Sequence, residues 1–304
     1  MTPTPDAYGG TVRAAQTALN NGDWEQGLSL YVSLAENYPN RDEAYTRLTN
    51  LLAEARKNPS RVNEDNFATL RPLLERAANL GVVPAMLLLG QNLRHTSPED
   101  ALYWYEKAAQ KGNADGMVQA GLLYANRHTP EDNRKALEYF IQAAEAGNRD
   151  GKYCAGECFY YSKPGLVPNE VKALQYLQEA AVLGDLRAMN LLGDYYRKKH
   201  NYNEARRFFE EAARGGFALA MANLGVLYMN GEGVVRAPEK AAELFRQAAE
   251  LGDAGGMYLY GQCFLGGVGV RKDVRVAHEW FRKAARAGNA NAIEYCRNNN
   301  LDYR

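Results

Sequence analysis

Seven times in 304 residues the chain places Ala-Ala and, three residues further on, Gly. The pairs Ala77-Ala78, Ala108-Ala109, Ala143-Ala144, Ala180-Ala181, Ala212-Ala213, Ala248-Ala249 and Ala284-Ala285 precede Gly81, Gly112, Gly147, Gly184, Gly216, Gly252 and Gly288. The steps between those glycines are 31, 35, 37, 32, 36 and 36 residues. Self-similarity at that period means stacked supersecondary units, each burying its apolar face on its neighbours rather than in one central core. Length alone would suggest about two globular domains; the repeat overrides that expectation.

One unit shows the physical logic. From Ala218 to Gly252, a first helix carries Ala218, Ala220, Leu224, Gly225 and Tyr228, and a loop carries Asn230-Gly231-Glu232-Gly233-Val234. A second helix carries Ala241, Leu244, Phe245 and Ala248-Ala249. Leu224 and Tyr228 sit four apart on one helical face. The small residues let two helices approach closely, so a larger side chain at Gly225 should overpack the contact. Gly252 suits the left-handed position that ends a helix. The next unit repeats the pattern with Tyr260-Gly261, Phe264, Gly267-Val268-Gly269-Val270, Trp280-Phe281 and Ala284-Ala285. The aromatic residues before each Ala-Ala (Tyr103-Trp104-Tyr105, Tyr139-Phe140, Phe208-Phe209, Trp280-Phe281) recur in place and are expected in the core between repeats.

These residues resemble the Sel1-like repeat, a relative of the tetratricopeptide repeat, over roughly Val82 to Asn289. The Gly-x-Gly-Val loop survives only in the last two units; the unit at 149–184 has Lys163-Pro164-Gly165 instead, and such loops vary freely if they only join helices. Upstream, Gly22, Gly27, Tyr31, Leu34 and Pro39 look like a tetratricopeptide hairpin, and residues 40–81 a degenerate one that turns at Pro59 and Ser60. The expected division is 1–81 for these two hairpins, 82–289 for six Sel1-like repeats, and 290–304 for a capping helix and tail. The resemblance implies an all-α fold: a right-handed α/α superhelical solenoid of stacked antiparallel helical hairpins, with each first helix on the inner, concave wall.

By the same resemblance, partner-facing residues lie six and three before, and one and four after, the first-helix glycine; steps of three and four keep them on one face. These are Pro84, Leu87, Gln91 and Arg94; Asp115, Val118, Leu122 and Ala125; Asp150, Tyr153, Glu157 and Tyr160. They continue with Arg187, Asn190, Asp194 and Arg197; Leu219, Ala222, Val226 and Met229; Gly255, Tyr258, Gln262 and Leu265. The candidate groove set is Gln91, Arg94, Tyr153, Glu157, Tyr160, Arg187, Asn190, Asp194, Arg197, Tyr258 and Gln262. Tyrosine and arginine are enriched among interface hot spots.

Composition bounds the partners. Lysine plus arginine equals aspartate plus glutamate, 36 against 36. Sequence-independent nucleic-acid binding usually needs a basic excess, so nucleic acid is not the expected partner. The run Arg197-Lys198-Lys199-His200 with Arg206-Arg207 is the most basic stretch and is expected to be a solvated loop. No run of 18 apolar residues would span a membrane. The N-terminus lacks a basic and an apolar segment, so no signal peptide is expected and the cytoplasm is the expected compartment. Cys154, Cys158, Cys263 and Cys296 are expected to pack in the core as free thiols.

Catalytic patterns fail one by one. His278-Glu279 begins like a zinc-protease helix, but Arg282 stands where the second histidine belongs. His95, His128 and His200 have no ligand spacing. Gly231-Glu232-Gly233 and Gly267-Val268-Gly269 lack the strand and the third glycine of a dinucleotide loop. No serine sits in a nucleophile elbow. The expectation is therefore a non-enzymatic, monomeric adaptor, without cofactor or metal, that binds a protein or peptide along its groove. The resemblance places such adaptors largely in bacteria. An inhibitor or immunity-type partner of an enzyme is the alternative. A hydrolase, implied by some cysteine-rich relatives, would need a nucleophile constellation and paired cysteines that the sequence does not show.

Overall fold

A computed structural model describes residues 5–58 and 60–303. Pro59, expected at a turn, and residues 1–4 of the N-terminal segment lie outside the described residues. The described chain forms seventeen α-helices and no strand. They are α1 (Pro5–Asn20), α2 (Trp24–Asn37), α3 (Asp42–Lys57), α4 (Glu64–Asn79), α5 (Val83–Leu93), α6 (Pro98–Gln110), α7 (Ala114–Ala125), α8 (Pro130–Glu145) and α9 (Arg149–Tyr160). There follow α10 (Glu170–Val182), α11 (Leu186–Lys198), α12 (Tyr202–Arg214), α13 (Ala218–Asn230), α14 (Pro238–Glu250), α15 (Ala254–Gly266), α16 (Val274–Arg286) and α17 (Ala290–Asn298). The helices divide into two compact units, residues 1–151 with 162–167 and residues 152–161 with 168–304. Each unit is an all-α stack of hairpins.

From α4 onward, each second helix hands over to the next first helix through three residues. In the α6–α7 turn, the Gly112 N–H bonds to the Ala109 carbonyl at 2.8 Å and the Asn113 N–H reaches back to Ala108 at 3.1 Å. Gly112 adopts φ +78°, so the helix ends in a Schellman turn. The residue after the glycine then caps the next helix: Asn113, Asn148, Asp185, Asp253 and Asn289 each accept from the backbone N–H three residues on. This Gly-Asx signature lies in the sequence beside the period, and it stops one helix and starts the next within two residues.

The recurring small residues set the distances between helices. A Cβ built on Gly116, Gly151 or Gly256, near the start of a first helix, would lie 2.6–2.7 Å from the Cβ of Ala108, Ala143 or Ala248 in the preceding second helix. A larger residue at either partner would push successive hairpins apart. The mid-helix glycine faces its own hairpin: a Cβ on Gly121, Gly193, Gly225 or Gly261 would meet the ring of Phe140, Phe209, Phe245 or Phe281 at 2.5–2.8 Å. These four phenylalanines are essentially buried. The aromatic expectation holds for Trp104, Tyr105, Phe140, Phe208, Phe209 and Phe281, all buried, and needs correction for Tyr103, Tyr139 and Trp280. Tyr103 is 49% exposed, and Trp280 is half-buried with Lys283 above its ring at 4.1 Å. Side chains step about 100° around a helix, so the exposed members of these runs fall outside the buried stripe.

The degenerate hairpin departs from this geometry. α3 contains no glycine, and α3 and α4 pack on α2 and α5 more than on each other. Leu48 and Leu52 of α3 are fully buried instead, and the Tyr45 hydroxyl bonds to the Gly81 carbonyl at 2.9 Å.

The loops within hairpins do more than join helices. Gly165, Gly233 and Gly269, all with positive φ, rest against the first residue of the previous second helix: Pro130, Tyr202 and Pro238 respectively. Lys163-Pro164-Gly165 thus makes the same contact as the Gly-x-Gly-Val loops that it replaces. Asn133, 3% exposed in α8, fastens it by donating to the Pro164 carbonyl at 2.8 Å. Asn133→Ala leaves that carbonyl without this donor and should cost about 1–3 kcal/mol in urea denaturation. A loss of only a few tenths would show that the bond contributes nothing.

The four cysteines are buried, as expected. Among the described residues no helix is long and apolar enough to cross a membrane. Nor do three or more potential metal-ligating side chains gather there.

Candidate functional site: the walls formed by the first helices

Within the second unit, α11 touches α13 and α13 touches α15 directly, whereas second helices mainly meet first helices. The first helices therefore form the more closely spaced wall, and the non-repeated side chains stand on it. Gln91 and Arg94 belong to the first unit; the other nine candidates belong to the second.

In the first unit, Gln91 and Arg94 of α5 line a cleft of about 290 Å³. Leu87, Asp115, Val118 and Asp150 line it too, so six of the spaced positions from three successive first helices converge on one cavity. Its floor is Tyr105, 3% exposed, whose phenol is pushed up to about 12 by burial. Arg56 of α3 enters from the degenerate hairpin and pairs with Asp115 at 3.2 Å. Asn148 donates to the other carboxylate oxygen of Asp115 at 3.2 Å. Sequence reasoning missed Arg56 because α3 carries no repeat grammar from which to count.

In the second unit, several of the polar candidates link neighbouring repeats, and others bond along their own helix. The Tyr153 hydroxyl donates to Glu157 at 3.0 Å. The Arg187 guanidinium lies 4.2 Å from the Tyr153 ring centre and is held by Asp185. Burial, with the Glu157 carboxylate beside it, raises the Tyr153 phenol above its ordinary pKa. Asn190 is buried, and its side-chain oxygen accepts from Asn223 at 2.9 Å. Lys198 joins Asp194 at 2.6 Å and donates to the Tyr160 hydroxyl at 3.1 Å. Both bonds favour the charged amine and raise its pKa.

Arg197 pairs with Glu232 at 2.7 Å, and that guanidinium holds the Glu232 carboxyl below its usual value. Gln262 donates to the Tyr258 hydroxyl at 2.9 Å, and Tyr258 leans on Phe281 with ring centres 5.5 Å apart. The stretch that looked most basic is neutralised by structure: Lys199 pairs with Glu170, and Arg206 and Arg207 pair with carboxylates on their own helix. Partly exposed ion pairs are worth about 0–1 kcal/mol each, so a ligand could exchange with them at small cost.

The Sel1 repeat model matches residues 77–113, 114–148, 152–185, 186–217, 218–253 and 254–289, well over half of the chain. The chain belongs to the Sel1 repeat family. Sel1 repeat proteins are generally protein-interaction scaffolds. The chain is 28% identical to an uncharacterized protein of Neisseria meningitidis, over 53% of this chain and 42% of that protein. It thus spans under half the length of this curated relative. Two solved structures share the fold. A protective antigen present in uropathogenic Escherichia coli strains, displaying an SLR fold, aligns with TM-score 0.76 and 23% identity over 96% of this chain and 64% of its own. A Sel1 repeat protein from Oxalobacter formigenes aligns with TM-score 0.71 and 24% identity, over 96% of this chain and 87% of its own.

Proposed function

We propose that this Sel1 repeat protein is an adaptor that holds an extended segment of a partner protein along the walls made by its first helices. The observation that carries this reading is the convergence of the non-repeated positions. The repeated residues are consumed by packing, as the alanines, glycines and phenylalanines above show. The non-repeated positions line the first-unit cleft in one case. In the other they gather tyrosines, arginines and carboxamides on the second-unit wall. Such a surface presents planar donors and aromatic faces at positions that the repeat pattern does not fix.

The test is capture from a lysate of the native organism by wild-type protein and by the double variant Tyr160→Ala/Arg197→Gln, followed by direct titration of the purified partner. Gln is chosen at 197 because an acidic residue there would face Glu232 and strain the wall. The expected result is a partner whose affinity falls at least tenfold, with unchanged helicity. A partner bound equally by both proteins would reject the wall as the site.

A further inference from the structure

Beside the charged part of the second-unit wall lies a pocket of about 290 Å³ between α13, α14 and α15. Its lining is largely apolar: Phe245 and Cys263 are buried within it, and Val226, Met229, Leu259 and Val268 form half-buried walls. We infer that this pocket seats one large apolar side chain, aromatic or long aliphatic, projecting from the partner segment. The inference rests on the adaptor reading and adds the chemistry of the residue that the partner must present.

Three observations carry it. The first is the repeat itself. Val226 and Met229 occupy the positions that hold Glu157 and Tyr160 two repeats earlier, and Asp194 and Arg197 one repeat earlier. In all three the first-helix glycine rests on an apolar side chain of its own second helix, Leu177, Phe209 or Phe245, so that packing does not require apolar side chains at these two positions. The second is size. An engineered cavity of about 150 Å³ lined by Leu, Ile and Phe already binds benzene, so this pocket has room for a side chain with its first methylenes. It is at the lower limit, roughly 300 Å³, for pockets that take whole small molecules. The third is the rim. Asn230 and Gln262 are exposed at the mouth, and carboxamides both donate and accept, which suits the backbone on either side of an inserted side chain. Met229 adds an adaptable wall, since methionine is unbranched and polarizable. Burial pushes the Cys263 thiol up to about 11, so at neutral pH it stays a protonated, weakly polar part of the lining.

The probe is N-acetyl-phenylalaninamide, with N-acetyl-asparaginamide as the polar control. Binding is followed by saturation-transfer NMR on the probe and by the ¹³C-methyl shift of Met229. A saturable Met229 shift with the phenylalanine amide, at least tenfold stronger than with the asparagine amide, is the expected result. Val226→Glu should weaken it tenfold or more; glutamate is already accommodated at the matching position, Glu157. Met229→Arg copies Arg197 in the same way and provides a second variant, read by saturation transfer alone. An unmoved Met229 methyl, or equal response to both amides, overturns the pocket. The probe contains no partner, so this outcome is separate from the fate of the adaptor reading. Retention of full partner affinity by Val226→Glu, in a protein whose partner is released by Tyr160→Ala/Arg197→Gln, would keep the wall and overturn the anchor.

Discussion

Replacing Phe209 by alanine is expected to destabilise the second unit by about 3–5 kcal/mol, the range for deleting a buried aromatic ring. Phe209 is fully buried and packs with Ala205, Ala212, Ala220 and Leu224. Its ring also rests on Gly193, where a built Cβ would stand 2.5 Å from the ring carbon Cε1. The alanines and Gly193 among these neighbours carry no side chain long enough to fill the space left behind. The cost should therefore fall toward the upper part of that range. Gly193→Ala tests the same contact from the other side. Alanine favours a helix interior over glycine by roughly 1 kcal/mol, but here its methyl group meets the ring, and overpacking typically costs about 1–3 kcal/mol. In the Phe209→Ala background the clash is gone, and Gly193→Ala should become neutral or stabilising. That sign change in a double-mutant cycle, measured by urea denaturation, is the specific signature. Repeat stability is a sum of local and nearest-neighbour contributions, so amide exchange should accelerate most in α11 and α12. Additive effects of the two changes would show that the ring and the glycine do not constrain each other.

Gly269→Ala and Gly252→Ala are expected to differ in cost, although both place alanine at a positive φ. Gly252 has φ +90° and nothing within 4 Å of a built Cβ, so alanine there meets only the left-handed strain, about 1–2 kcal/mol. Gly269 has φ +72°, and its Cβ would stand 2.1 Å from the Pro238 carbonyl oxygen of the preceding hairpin. Backbone cannot rotate away as a side chain can. Strain and overpacking together place the expected loss at about 2–5 kcal/mol. Denaturation midpoints of the two variants compare them directly. Equal losses would mean that the loop does not lock onto the preceding repeat.

That contact also marks a limit of sequence reasoning. The Gly-x-Gly-Val loop was visible as a motif, and its absence around Gly165 suggested a loop free to vary. In the structure Gly165 meets Pro130 as Gly269 meets Pro238. The partners lie more than thirty residues apart, and no local spacing records which helix end a loop will touch. The cleft in the first unit shows the same limit: its six first-helix residues follow from counting around the glycines, but Arg56 arrives from a helix without the pattern. The ion pairs are the third case. Arg197 and Glu232 are both ordinary charged residues in sequence, and only the placement of the loop after α13 brings them to 2.7 Å.

The string of residues alone determined the helical hairpins, their order and the positions where only small or aromatic side chains serve. It did so because those demands recur every 31 to 37 residues and are set by contacts one repeat long. Tertiary structure decided which of the remaining side chains share a cavity, which neutralise one another, and where an apolar pocket opens beside a charged wall. Those outcomes depend on separations of a few ångströms between helices far apart in the chain, and such distances come into being only when the hairpins stack.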